Sequence, residues 1–186
     1  YLLIAVILVF CYNKAMNIQE LRAGDLLFMY GISDMSQAIQ KATGQYSHVA
    51  IYFDSMIYHA TKDKGVIKQQ LREFLKTKQH RIFVYRYPRI KADQVQVAAE
   101  HLLGRPYNHS FYPDNGSYYC SQYIADILPI FETIPMQFGD DKHTISEFWQ
   151  QYYDELGVAV PLNQSGTNPS QLAQSENLQY LGELHD

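Results

Sequence analysis

The chain has 186 residues, 47% of them hydrophobic and 18% charged, which suits one folded domain and excludes a disordered or wholly membrane-embedded chain. Fifteen Lys and Arg against 19 Asp and Glu leave a net charge of −4 with no long basic run, so nucleic acid is not an expected partner. Aromatics reach 14%, with 16 Tyr against one Trp, and the two cysteines, Cys11 and Cys120, are too few for a disulfide framework.

The chain opens on Leu2 to Tyr12 (LLIAVILVFCY), an uncharged apolar run followed by Lys14. It falls short of the roughly 20 residues that span a bilayer and matches the apolar middle of a secretory signal. Residues 1–15 therefore read as a signal-like or anchoring segment that brings the protein near a membrane. Cys11 stands where a lipid-attachment cysteine would, although Phe10 before it is bulky and no clean cleavage site follows. A buried N-terminal strand is the alternative. Beyond Met16, Asp25 to Tyr30 reads as a strand after a Gly24 turn. Ser33 caps a helix that carries Met35, Ala38, Ile39 and Ala42 on one face and stops at Gly44. His48 to Phe53 and Met56 to Ala60 are β-rich, Leu71 to Leu75 suggests a short helix, and Arg81 to Tyr87 a strand closed by Pro88. Asp93 is placed to cap a helix ended by Gly104 and Pro106. Thr144 and Glu147 have the spacing of a capping box for a helix carrying Phe148, Trp149 and Tyr152. Residues 16–160 thus form one domain, and 161–186, rich in Asn, Gln and Ser, read as a polar surface extension. The sum is an α+β fold, a small, mostly antiparallel sheet with helices packed against it.

Two places carry chemistry. Cys120 lies in Gly116-Ser117-Tyr118-Tyr119-Cys120-Ser121-Gln122, just before the apolar pattern Tyr123, Ile124, Ile127 and Leu128. With Ser117 as a cap, Cys120 falls in the first turn of a helix, where the end dipole lowers a thiol pKa. A buried, inert cysteine is the competing reading. A base is offered upstream. If Phe53 opposes Met56 across a turn at Asp54-Ser55, then Ala50 opposes His59 and His48 opposes Thr61. His48, Ala50, Tyr52, Ile57, His59 and Thr61 then share a more polar face, and Val49, Ile51, Phe53, Tyr58 and Ala60 face the core. The two histidines become diagonal neighbours within reach, about 5.5–8 Å apart along the backbone; a one-residue slip would separate them. Nucleophile, base and orienting group is the logic of covalent acyl transfer. Zinc on two His and one Cys is the minor alternative, disfavoured because neither a close ligand pair nor a fourth ligand is evident. No cofactor is expected.

These residues fall into a known pattern. Gly24-Asp25-Leu26-Leu27-Phe28, Tyr46-Ser47-His48-Val49-Ala50-Ile51, Tyr58-His59-Ala60, the stretch from Leu103 to Phe111, and Tyr119-Cys120-Ser121-Gln122 resemble, in order, the motifs of circularly permuted papain-like hydrolases of the NlpC type, in the YaeF/YiiX (YebB-like) group. The resemblance covers about residues 22 to 128. It implies a permuted papain-like fold, a small antiparallel sheet or barrel packed against helices, with the cysteine at a helix N-terminus. It further implies that Cys120 is the nucleophile, His48 the base and His59 the third polar residue. The chain departs from the pattern in three places: His59 stands where Glu is usual, Asn108 where Asp is usual, and Gln122 where Glu is usual.

The expected activity is that of a cysteine amidase or peptidase cleaving an amide through a thioester, exported or anchored in a bacterial cell envelope and acting on cell-wall peptides. A lipid acyl hydrolase or acyltransferase of the same fold, and a catalytically silent binding module, are the alternatives. Tyr46, Tyr107, Tyr119, Ser121 and Gln122 are the candidates for contacting a small peptide or lipid-like substrate or its oxyanion, with Tyr118 and Phe111 at the same predicted cleft edge. Oligomeric state is not legible.

Overall fold

The computed structural model describes residues 14–76, 80–113 and 116–185; the apolar run read as an export segment, with Cys11, lies outside them. The strands are β1 (Ala15–Asn17), β2 (Leu26–Gly31), β3 (His48–Phe53), β4 (Met56–Thr61), β5 (Gly65–Gln70), β6 (His80–Arg86), β7 (Ile134–Pro135), β8 (Ser165–Gly166) and β9 (Gln179–His185). The helices are α1 (Asp34–Thr43), α2 (Leu71–Leu75), α3 (Ala92–His101), α4 (Cys120–Ile127), α5 (Glu147–Leu156) and α6 (Pro169–Ala173).

Seven strands form one open sheet in the order β1-β9-β6-β2-β3-β4-β5, antiparallel except for the β1–β9 pair. It is larger than the small sheet expected and does not close into a barrel. Both of its faces are buried, because alternate residues of one strand supply two different cores. Leu26, Phe28, Val49, Ile51, Tyr58 and Ala60 face α4, where Tyr123, Ile124 and Ile127 join them. Leu27, Met29, Ala50 and Ile57 face the other way, where Leu71 and Phe74 of α2 cover them. A third cluster, with Ala38 of α1, Phe138, and Trp149 and Tyr153 of α5, stands beside the α4 N-terminus.

Ser33 caps α1 as expected, its side chain accepting the Ser36 N–H, and Gly44 ends it. Three other caps shift. Helix α3 starts with Lys91 at the cap, so Asp93 sits inside the first turn, where its charge meets the same helix dipole. Residues 144–146 are drawn into pairing with Phe138, so α5 begins at Glu147 with Ser146, not Thr144, at the cap. Residues before Cys120 are likewise held extended, the Tyr118 N–H donating to the Pro106 carbonyl, which moves the cap from Ser117 to Tyr119.

The polar C-terminal stretch is not a surface extension. β9 lies inside the sheet between β1 and β6, Leu172 is fully buried, and the Ser170 hydroxyl accepts the Tyr46 N–H. Its polarity misleads because much of it serves as connections: Asn168 caps α6 through the Gln171 N–H. β5 was missed for a related reason, since only its first residues are buried, and Gly65 there is forced by backbone. At φ +68 it lies against the Arg105 carbonyl, which a Cβ would strike.

Asp25, fully buried, accepts two hydrogen bonds from Arg86 at 2.7 and 2.8 Å and one from the Arg22 N–H at 2.8 Å. This pair fastens the start of β2 to the end of β6. Removing one partner leaves the other charge uncompensated, at a cost of about 3–5 kcal/mol. Asp25→Ala is expected to lower the urea midpoint accordingly with the slope unchanged; a midpoint within error of the parent would contradict this.

Candidate active site

Cys120 is the first residue of α4. The helix start is built by Gln122, whose Oε1 accepts the Tyr119 N–H at 3.3 Å and an N–H of Asn108 at 3.3 Å. Two of the departures from the family pattern, Asn108 and Gln122, thus contact each other as a pair of neutral amides. The thiol is buried, and the backbone N–H groups of Cys120 itself, Ser121 and Val49 lie toward it and favour its charged form. The Val49 N–H belongs to the peptide bond joining Val49 to His48.

Burial pushes the Cys120 thiol up to about 11, against the pull of those three donors. The lowering expected from the helix end is overridden: a thiolate without water loses more than the N–H groups return.

The hairpin has the anticipated register, with Phe53 opposite Met56, Tyr52 opposite Ile57 and Ile51 opposite Tyr58. Asp54 and Ser55 take positive φ (46° and 68°), the two-residue turn that matches strand twist. His48 and His59 meet, His48 Nε2 lying 2.9 Å from His59 Nδ1 with the rings edge to face. Their shared face is buried, however. It is covered by α2, Phe74 stands edge-on to His59, and His59 is 5% exposed. Burial alone holds His59 down at about 4, so it is a neutral ring at pH 7. Its other nitrogen, Nε2, lies 3.1 Å from Nε2 of Gln69 on β5. The thiol belongs to the opposite face of the sheet, in the cluster that holds Val49 and Ile51.

Beside Cys120 opens a small cleft of about 60 Å³, walled by Ile39, Tyr107, Phe111, Met136, Phe138 and Trp149. Tyr119 and Ser121 also line it, with Thr167 bonding both: its N–H donates to the Tyr119 hydroxyl and its own hydroxyl to that of Ser121. Of the side chains singled out from sequence, Tyr107, Phe111, Tyr119, Ser121 and Cys120 come together here. Tyr46 does not. Its ring packs on Phe28 and Phe83 and its hydroxyl bonds to that of Tyr85, because Tyr46 precedes β3 and turns into the core. Gln122 is occupied at the helix cap, and the Tyr118 hydroxyl donates to Asp126. Sequence reading missed Gln69, Met136 and Thr167. Gln69 had a usable signal, since in a strand paired with β4 it falls on the face of His59; the others come from segments read as loop or tail.

A thiol at a helix N-terminus, docked on an earlier strand that carries a paired histidine, defines a papain-like cysteine hydrolase in permuted order. The chain belongs to the permuted papain-like amidase family YaeF/YiiX (C92), whose pattern it matches over residues 20–182. It is accordingly a hydrolase of the amidase type. In fold it is similar to yiiX from Escherichia coli O157:H7, described as a metalloprotein, with a TM-score of 0.71, 22% identity, and 87% of this chain and 97% of that one covered. No curated relative matches the sequence. Among the described residues, no three or more His, Cys, Asp or Glu side chains are grouped to hold a metal ion.

Two measurements check the electrostatics. Between about pH 4 and 6.5 the unfolded chain binds a proton at His59 that the fold does not. Stability is therefore full above about 6.5 and falls as pH drops toward 4, by about 3 kcal/mol from this ring. Urea midpoints should show that loss, and His59→Asn should flatten it; equal slopes in both proteins would contradict it. Alkylation of Cys120 by iodoacetamide should be slow at pH 7 and climb steadily to pH 10. A fast, pH-independent rate between 5 and 8 would reveal a thiolate already formed at rest.

Proposed function

We propose that the protein cleaves an amide whose acyl part is apolar, through a thioester on Cys120. The Cys120 thiol passes its proton to His48 as sulfur attacks the carbonyl carbon. The carbonyl oxygen becomes an oxyanion, and the Cys120 backbone N–H helps to hold it. His48 then gives the proton to the leaving nitrogen as the C–N bond breaks. A water attacks the thioester with His48 taking its proton, and the carboxylic acid and the free thiol are restored. Because both thiol and His59 rest neutral, His48 works as a general base during attack, without a preformed ion pair. His48 Nε2 is held by His59, so the exchange with sulfur falls to Nδ1.

The observation that carries the reading is the cleft wall. It is apolar beside the sulfur, and among the described residues lining it none is Lys, Arg or His. The carboxylates of a cell-wall peptide would find no cation there; an alkyl or aromatic acyl group would displace water from Phe111, Met136 and Trp149. The same observation favours a second reading, in which the acyl group is carried on a lipid ester and the enzyme acts as an acyl hydrolase or acyltransferase. The apolar run at Leu2 to Tyr12 supports an exported or membrane-anchored location in a cell envelope. Among the described residues no helix is long and apolar enough to cross a membrane.

Hydrolysis of N-decanoyl and N-acetyl p-nitroanilides tests this. The longer chain should raise kcat/KM at least about tenfold, since each buried methylene is worth roughly 0.8 kcal/mol. Cys120→Ala should abolish both reactions. Activity surviving in Cys120→Ala, or a preference for the acetyl compound, would overturn the reading; cleavage of p-nitrophenyl decanoate with no anilide cleavage would favour the lipid ester.

A further inference from the structure

We infer that Gln69 is a positioning residue of this site, whose carboxamide sets which nitrogen of His59 carries the proton and so which nitrogen of His48 is bare. The inference rests on the roles proposed above for Cys120, His48 and His59. His59 uses both ring nitrogens: Nδ1 toward His48 Nε2 at 2.9 Å and Nε2 toward Gln69 at 3.1 Å. A neutral imidazole has one N–H and one bare nitrogen, so the two contacts cannot be chosen independently.

Suppose the Gln69 amide donates to His59 Nε2, as its nitrogen is placed. The His59 proton then sits on Nδ1 and is donated to His48 Nε2, which leaves His48 protonated on Nδ1. In that arrangement His48 has no bare nitrogen for the thiol. Turning the amide by half a turn puts Oε1 at the same place and reverses every member. His59 Nε2–H donates to Gln69, Nδ1 accepts from His48 Nε2–H, and His48 Nδ1 is bare. Once that nitrogen takes the Cys120 proton, the imidazolium keeps an acceptor behind it. A carboxamide is the side chain that can stand in either sense, since it carries a donor and an acceptor on one carbon.

The surroundings leave this task to Gln69. His59 is enclosed by His48 of β3, Gln69 of β5 and Phe74 of α2, and no charged group contributes to the lowering of its pKa. Among the described residues nothing ionic fixes the tautomer of His59, as the more usual Glu at the third position would fix His48. Gln69 reaches His59 because β5 pairs with β4 so that Ile57 faces Gln69 and His59 faces Ile67, which puts Gln69 diagonally across from His59 on one face. It is not among the residues lining the cleft.

The test uses the full chain in three forms: parent, Gln69→Leu and Gln69→Glu. Two-bond 15N–1H correlation spectra at pH 7.5, without substrate, read the His59 tautomer. Parent and Gln69→Leu are expected to differ in it, with urea midpoints alike. With the N-decanoyl anilide, Gln69→Leu should lose at least about tenfold in kcat at unchanged KM, a part of the roughly 10²–10⁴-fold that general-base assistance supplies. Gln69→Glu, which keeps an acceptor at that place, should restore most of the rate. An unchanged tautomer and kcat in Gln69→Leu would overturn the inference, as would equal loss in Gln69→Glu. The spectra need no turnover, so a failure of Cys120 to react would sink the amidase reading and leave the Gln69 result standing on its own.

Discussion

The packing of α4 on β3, which brings the Val49 N–H toward the Cys120 sulfur, is the constraint on which the rest of the site depends. It ties the start of α4 to the start of β3, two segments far apart in sequence, and so holds Cys120 against the strand that begins with His48. Everything around it serves that docking. Tyr123, Ile124 and Ile127 press α4 onto Val49, Ile51 and Tyr58, and the Asn108–Gln122 pair holds the loop leading into the helix. α5 secures the same loop from outside, through Tyr152 and Tyr153 hydroxyls donating to the His109 and Ser110 carbonyls.

That docking has an electrostatic cost. A helix start and three N–H groups favour a thiolate, yet the sulfur is sealed from water and the balance falls to the thiol. His59 is subject to the same rule with the opposite sign, since for a base the neutral form is also what burial favours. Cys120, His59 and Gln69 are thus all neutral at rest, so in the proposed exchange charge appears only while a proton is moving. An apolar cleft suits such an exchange, because a substrate that fills it expels the remaining water without disturbing an ion pair.

How much of this was readable beforehand depended on whether local pattern or distant packing decided the outcome. The hairpin register and the His48–His59 pairing followed from alternation, since a slip would have exposed Val49, Ile51 and Phe53. The helix start at Cys120 was legible to within its cap; the cap itself moved because Tyr118 is held by Pro106, a contact no local rule predicts. The burial of the histidine face was hidden, as it depends on α2 folding back to set Phe74 on His59. So was the thiol's high pKa, because a helix end can be seen in sequence and the loss of water cannot. The stretch from Pro161 looked like a polar surface extension on composition, yet it supplies β9, paired between β1 and β6, and Thr167 to the cleft wall. Much of the tyrosine content serves the architecture: Tyr46, Tyr118, Tyr123 and Tyr153 bond within the fold, and among the described tyrosines Tyr107 and Tyr119 line the cleft.

The central claim is that Cys120 carries the acyl group, with His48 completing the exchange. Acid-quenching the protein seconds after mixing with p-nitrophenyl decanoate, then mapping peptide masses, addresses it directly. The account predicts a decanoyl adduct on the peptide containing Cys120, absent in Cys120→Ala and formed far more slowly in His48→Ala. Turnover with no adduct on that peptide, or an adduct formed as fast without His48, would contradict it.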